Sequence, residues 1–219
     1  DKIKEIRPDV DQVDIDGKAI LFESGIYAKI PTDLPEKLAL SALDVAGAPA
    51  QTAKLVKPGD TVLIIGAGGK SGMLCCYEAM KRAGVTGKVI GLCHSQKSAD
   101  RLKALGFCHT VFTADATQPV PVMEKISELT GGQMCDVTIN NVNIPDTEMT
   151  SILCTKNDGV VYFFSMATSF TKAALGAEGV GSDVTMIVGN GYTKGHAEIT
   201  LQELRENEAL RKIFTDLYA

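Results

Sequence analysis

Residues 66–72 read Gly-Ala-Gly-Gly-Lys-Ser-Gly, the stretch whose residue types and spacing point most directly to chemistry. Glycines in this density let a backbone turn tightly, approach a ligand, and pack a helix closely against a strand. A turn of this kind that opens onto a helix offers free N–H groups and a positive dipole end to phosphates. Gly69-Lys70-Ser71 looks like the end of a nucleoside-triphosphate loop, but that pattern also needs a glycine five residues before the lysine, and position 65 is Ile. Gly-x-Gly-x-x-Gly is interrupted by Ser71, where its third glycine falls. The spacing that fits is Gly66-x-x-Gly69-x-x-Gly72, a dinucleotide turn in which Gly66, Ala67, Gly69, Lys70, Ser71 and Gly72 face a pyrophosphate.

The elements on either side support that reading. Val62 to Ile65 is an unbroken apolar run, as expected of a strand buried on both faces. Met73, Leu74, Tyr77 and Met80 then follow at helical spacing, and Gly84 stops the helix. Strand and helix patterns alternate beyond it. Strands are predicted at residues 88–93, 110–113, 136–140, 159–164 and 184–189, and helices at 98–105, 122–129 and 146–154. Residues 171–175 give at most a short helix, and residues 198–218 one long one. The expected fold is α/β, a Rossmann-type doubly wound parallel sheet of six strands in the order 3-2-1-4-5-6. Ahead of it, residues 34–56 form a helical pattern led by Pro35 and kinked or split at Pro49. Residues 1–34 differ: a polar opening, then short strands at 18–22 and 26–30 around a turn. They read as the remnant of a β-rich domain whose other strands lie upstream, or as a hairpin on the domain edge; residues 35–219 are the dinucleotide-binding domain with its helical tail.

In such a sheet the ligand lies over the carboxyl ends of the strands. Besides the glycine loop, four loops are thereby selected. Cys93-His94-Ser95 falls where the adenine ribose sits; an acid there would hold the ribose 2′-hydroxyl, and this chain has Cys93 instead, with Lys97 and Arg101 close by. Asn140-Asn141-Val142 can bond the nicotinamide ribose or hold its own loop by Asx-turn chemistry. Ser165-Met166 and Gly189-Asn190-Gly191 complete the set. No proton-transfer group declares itself. His109 reads as a packing residue, His196 opens the tail helix, and Asp44, alone among apolar neighbours, reads as hydrogen-bonded structure.

A net charge of −5 without a basic stripe argues against a nucleic-acid partner. No apolar run is long enough for a membrane span. The six cysteines lie in apolar elements with no Cys-x-x-Cys pair, which suits free thiols in a reducing cytoplasm and not a metal site. The last strand, at residues 183–188, falls at a sheet edge and predicts a homodimer joined there.

Residues 32–72, with the proline-led helix, the Lys57-Pro58-Gly59-Asp60 turn and the glycine loop, resemble the medium-chain dehydrogenase/reductase superfamily. Within it, Phe22-Glu23-Ser24-Gly25-Ile26-Tyr27-Ala28, Leu43-Asp44-Val45-Ala46-Gly47-Ala48-Pro49-Ala50-Gln51, Asn140-Asn141-Val142 and Tyr162-Phe163-Phe164-Ser165-Met166-Ala167-Thr168 are similar to members that deaminate a diamino acid. The resemblance implies oxidation of the 3-amino group of a 3,5-diaminohexanoate to a ketone, with release of ammonia, during lysine fermentation in the cytoplasm. It implies NAD as cofactor, and Cys93 in place of the ribose-binding acid leaves NADP open. It implies a β-rich substrate-binding half ahead of the sheet. Zinc-dependent members carry a cysteine ligand in the helix before the sheet; residues 34–56 contain none, so no zinc is expected. Two other readings remain: a medium-chain reductase of carbonyl or alkene substrates, and a dinucleotide-binding module without catalysis.

Overall fold

In the computed structural model, which describes residues 1–10, 12–189 and 192–219, the chain opens with an antiparallel hairpin. Its strands are β1 (Lys2–Arg7) and β2 (Gln12–Asp16), which pair Ile3 with Ile15 and Ile6 with Val13. Arg7 grips Asp14 across the pair through two bonds of 2.7 and 2.8 Å. The strands expected at 18–22 and 26–30 are not formed; residues 17–35 carry no strand or helix. The reason is a missing edge. β1 and β2 pair with each other, and no other strand among the described residues offers the 18–30 segment its hydrogen bonds. Ile20, Leu21, Phe22, Ile26 and Tyr27 are consequently exposed.

Residues 34–56 fold as two helices, α1 (Glu36–Leu43) and α2 (Gly47–Leu55). The break lies at residues 44–46, before Pro49, contrary to the expected kink at the proline. Pro49 is the third residue of α2, where a backbone N–H has no helical acceptor to lose.

β3 (Thr61–Ile65) then starts the main sheet, and Val62 to Ile65 are fully buried. After it come α3 (Lys70–Ala83), β4 (Lys88–Cys93), α4 (Gln96–Leu105), β5 (Thr110–Thr113), α5 (Pro119–Thr130), β6 (Cys135–Asn140), α6 (Glu148–Leu153), β7 (Thr155–Phe163), α7 (Phe170–Val180) and β8 (Val184–Val188). The six strands are all parallel, in the order β5-β4-β3-β6-β7-β8. Numbered within the sheet this is 3-2-1-4-5-6, with the reversal beside β3, as expected. The tail is two helices, α8 (His196–Glu206) and α9 (Glu208–Tyr218), where one was expected. Asn207 separates them: its backbone is extended and its side chain accepts from the Leu210 N–H at 2.8 Å, an N-cap that starts a new helix. α7 is eleven residues long, beyond the short helix expected. Ser169 caps its start and left-handed Gly181 its end, while Gly176 and Gly179 blur the apolar period in between.

One apolar cluster lies under α1, α2, α3, α4, α8 and α9 and includes Val62, Ile64, Leu74, Leu102, Leu204 and Phe214. The opposite face carries Leu63, Ile65, Ile90 and Leu92 under α5, and Val161 and Phe163 under α7. Covering both faces leaves the carboxyl edge of the strands as the place where loops meet.

Candidate functional site

Gly66 leaves β3 with φ +79°, a conformation that an L side chain adopts only under strain. A Cβ added there would lie 2.8 Å from the Val142 Cγ2. At Gly72 an added Cβ would lie 2.2 Å from the Gly66 carbonyl oxygen, so α3 can approach the turn this closely only with a glycine. The N–H groups of Gly66 and Ala67 both donate to Leu92 O at 3.0 Å, and that of Gly69 to Gly66 O. That of Gly68 donates to the Cys93 sulfur, and those of Lys70, Ser71 and Gly72 have no backbone acceptor among the described residues. Gly69 is the N-cap of α3 and has no side chain to satisfy them. The result is three free donors at the positive end of a fourteen-residue helix, a cradle suited to a pyrophosphate.

Three side chains shape the cradle from outside. Lys70 Nζ lies 2.5 Å from Asp44 Oδ2, at the bend between α1 and α2, and 5.7 Å from the centre of the Tyr218 ring of α9. Arg101 of α4 donates from Nη2 to Gly68 O, and its Nε is buried without a hydrogen-bond partner. Asp44 and Tyr218 are the residues that sequence reasoning missed here. Each reaches the loop from a distant part of the chain, and no local spacing announces the contact.

Of the other expected site residues, Cys93 is buried beneath the loop, its Sγ 3.2 Å from where a Gly68 Cβ would stand. Burial pushes its thiol up, opposed in part by Ser98 and the Gly68 backbone. Its side chain lies in the floor of the loop. His94 and Ser95 are exposed beside it, and Ser95 caps α4 by accepting from the Ser98 N–H at 3.3 Å. No carboxylate stands at the end of β4. Asn140 is fully buried and committed to its own loop. It donates to Thr147 Oγ1 at 2.8 Å and Ser151 Oγ at 2.9 Å, and accepts from the Val142 N–H at 3.0 Å. Asn141 is different: its Oδ1 accepts from the Cys75 thiol, and its Nδ2 is buried with no hydrogen-bond partner. Val142 packs against Gly66. Ser165 accepts from the Ala167 N–H at 3.1 Å, a local turn, and Met166 is exposed. Gly189 donates to Phe163 O at 3.2 Å, and an added Cβ would meet nothing within 4 Å among the described residues. Asn190 and Gly191 lie outside the described residues. The structure thus gathers the glycine loop, Cys93, Asn141 and Val142 at the switch point, with Ser165 and Gly189 at the ends of the next two strands.

A larger cleft, about 1070 Å³, runs along α8 and the far half of α3, lined by Lys81, Arg82, His196 and Arg205 among others. It contains no residue of the glycine loop, so the loop is identified by its unpaired donors and not by volume. Among the described residues no group of three or more His, Cys, Asp or Glu side chains could hold a metal ion. The cysteines do not fit one either. Burial pushes the thiols of Cys75 and Cys154 up to about 12, and those of Cys76 and Cys135 well above the usual range, which disfavours the thiolates that zinc binds.

Residues 72–198 match the family described as zinc-binding dehydrogenase. Over 218 residues the chain is 65% identical to L-erythro-3,5-diaminohexanoate dehydrogenase of Acetoanaerobium sticklandii and 59% identical to that of Fusobacterium nucleatum subsp. nucleatum. These alignments take in all of this chain and 63% of each relative's length. Among solved structures it is similar to alcohol dehydrogenase TADH from Thermus sp. ATN1, with a TM-score of 0.59 at 20% identity over 83% of this chain and 51% of that one. At that identity the likeness speaks for the fold alone.

Proposed function

Since the chain belongs to the zinc-binding dehydrogenase family, we propose that it binds NAD through the glycine loop and forms the cofactor half of an amine dehydrogenase acting on L-erythro-3,5-diaminohexanoate. The substrate rests on the names of the two relatives and on the 63% of their length that this chain spans. The observation that carries the cofactor half is the row of free N–H groups at Lys70, Ser71 and Gly72, behind a turn that Gly66 and Gly72 alone make possible.

In this reading the substrate's C3 loses a hydride and its amino group a proton, and water then replaces nitrogen, giving a ketone and ammonium. The nicotinamide supplies the hydride acceptor. This chain's own residues bind and orient. The helix end holds the two phosphates, Arg101 fixes the Gly68 carbonyl, and Asn140 holds the 140–142 loop so that Val142 backs the turn. Asn141 Nδ2, buried and unpaired, is the donor best placed to meet the nicotinamide side of the cofactor. No acid follows β4 in the chain to repel a 2′-phosphate, so the site also admits NADP. Despite the family's description, no step is assigned to zinc, because the described residues of this chain do not make a site for it.

The setting is the cytoplasmic fermentation of lysine. Two chains pair along β8, whose outer edge carries no strand among the described residues. Calorimetric titration with NAD and NADP tests the cofactor claim; a folded protein that binds neither refutes it. Ammonia release from the diamino acid, compared with a panel of aldehydes, ketones and enoyl substrates, tests the reaction. Light scattering that finds a monomer refutes the dimer.

A further inference from the structure

We propose that the cofactor's pyrophosphate opens the Asp44–Lys70 ion pair, and that the freed Asp44 carboxylate then receives an ammonium group of the amine substrate; this rests on the dehydrogenase reading above. Lys70 is the first residue of α3, so its side chain leaves the same helix end whose N–H groups face the phosphates. In the structure its Nζ is instead held by Asp44 at 2.5 Å. The side chains of Lys70 and Asp44 keep 27% and 66% of their exposure, and ion pairs this open to water hold weakly. A pyrophosphate carries two charges, and it arrives at a helix end that already attracts anions. The Tyr218 ring, 5.7 Å from Nζ, keeps the ammonium over the loop while its partner changes.

Asp44 has no second cation to turn to among the described residues. Once Lys70 leaves, it is an unpaired, solvent-facing carboxylate at the carboxyl edge of the sheet. A diamino acid at neutral pH carries two ammonium groups and one carboxylate, and its site needs an acid. Other acids around this edge are engaged. Asp146 is paired with Lys172, and Asp115 accepts from the N–H and the hydroxyl of Thr117. Asp44 differs from them in that its partner is the one lysine the cofactor recruits. Binding is thereby ordered: the amine finds its carboxylate only after the nucleotide has taken Lys70. Asp44 is a positioning residue in this scheme, and Lys70 the element that gates it.

The test is a double-mutant cycle in the polypeptide as its gene encodes it, using Asp44→Asn, Lys70→Met and both together, read by calorimetry with NAD. Asp44→Asn is expected to tighten NAD by about threefold to tenfold, because Lys70 no longer has to be taken from a carboxylate, and to change it less than about twofold in the Lys70→Met background. Plain repulsion between Asp44 and the phosphates would give the same gain in both backgrounds, which overturns the exchange. Steady-state kinetics then reads the second half. Asp44→Asn is expected to raise KM for the diamino acid about tenfold or more with kcat within about threefold, the mark of lost uniform binding. An unchanged KM overturns the role of Asp44. Failure of the wild type to bind NAD at all is a different result: it removes the dehydrogenase reading first and the exchange with it.

Discussion

Substituting Gly72 by alanine tests whether the closeness of helix and turn defines the site. The added Cβ would stand 2.2 Å from Gly66 O, 2.8 Å from Ala67 Cα and 2.9 Å from Ala67 C. All three atoms are backbone, so no side chain can swing aside, and α3 or the turn has to move by about 1 Å at the closest contact. Overpacking of this kind costs about 1–3 kcal/mol and occasionally more. The upper part of that range is expected here, because the strained atoms belong to a left-handed turn that itself tolerates only glycine. The movement also displaces the free Ser71 and Gly72 N–H groups, so NAD affinity should fall at least about tenfold, which is 1.4 kcal/mol. Urea denaturation reads the first effect and calorimetry the second. Gly179→Ala is the control: it lies in α7 with nothing within 4 Å of an added Cβ and no positive φ. There, removing a helical glycine should stabilise by about 0.5–1 kcal/mol. Near-equal stability of the Gly72 variant and the wild type, with NAD binding intact, refutes the close-packing argument.

Other consequences are as direct. Glu203 is buried beside Glu78, with no hydrogen-bond partner on either oxygen, and burial followed by the Glu78 charge holds its carboxyl well above the usual range. Lys81 and Arg82 oppose the shift and Glu206 adds to it. A carboxyl raised in the folded state keeps its proton longer there than in the unfolded chain, so stability falls as pH rises from the unfolded pKa toward the folded one. Glu203→Gln should therefore raise Tm at pH 8, with a gain that shrinks toward pH 5; a gain independent of pH contradicts the assignment. Asn140→Ala removes two buried donated bonds and the acceptor of the part-buried Val142 N–H, and should cost about 1–3 kcal/mol in urea denaturation. With their thiols pushed up to about 12 by burial, Cys75 and Cys154 should resist iodoacetamide at pH 8 until the protein unfolds, which mass spectrometry of labelled peptides checks.

The sheet was legible because its signals are local. Val62 to Ile65 can only be a strand covered on both faces, and the spacing of Gly66, Gly69 and Gly72 corresponds to a turn, a helix cap and a helix contact in the structure. What escaped depends on distant partners or on their absence. Residues 18–30 have strand-like composition, yet a strand needs an edge, and composition does not say whether one exists. Pro49 suggested a kink, whereas three residues decide whether a proline breaks a helix or begins one. Asp44 looked like a hydrogen-bonded acid; its meaning came from Lys70, 26 positions later, at a loop assigned to phosphate. Cys93 was placed correctly at the end of its strand, but a period of two does not fix which side of a last residue faces the loop, and it faces the floor. Asn140 and Asn141 are adjacent and alike in sequence, and only packing separates the one that holds its own loop from the one that is left with a free donor.

The central claim is that the N–H groups at the start of α3 hold the cofactor's phosphates. A crystal structure with NAD bound tests it most directly. Phosphate oxygens within hydrogen-bonding distance of the Lys70, Ser71 and Gly72 N–H groups are the expected result; a nucleotide seated elsewhere, with those groups facing solvent, contradicts it.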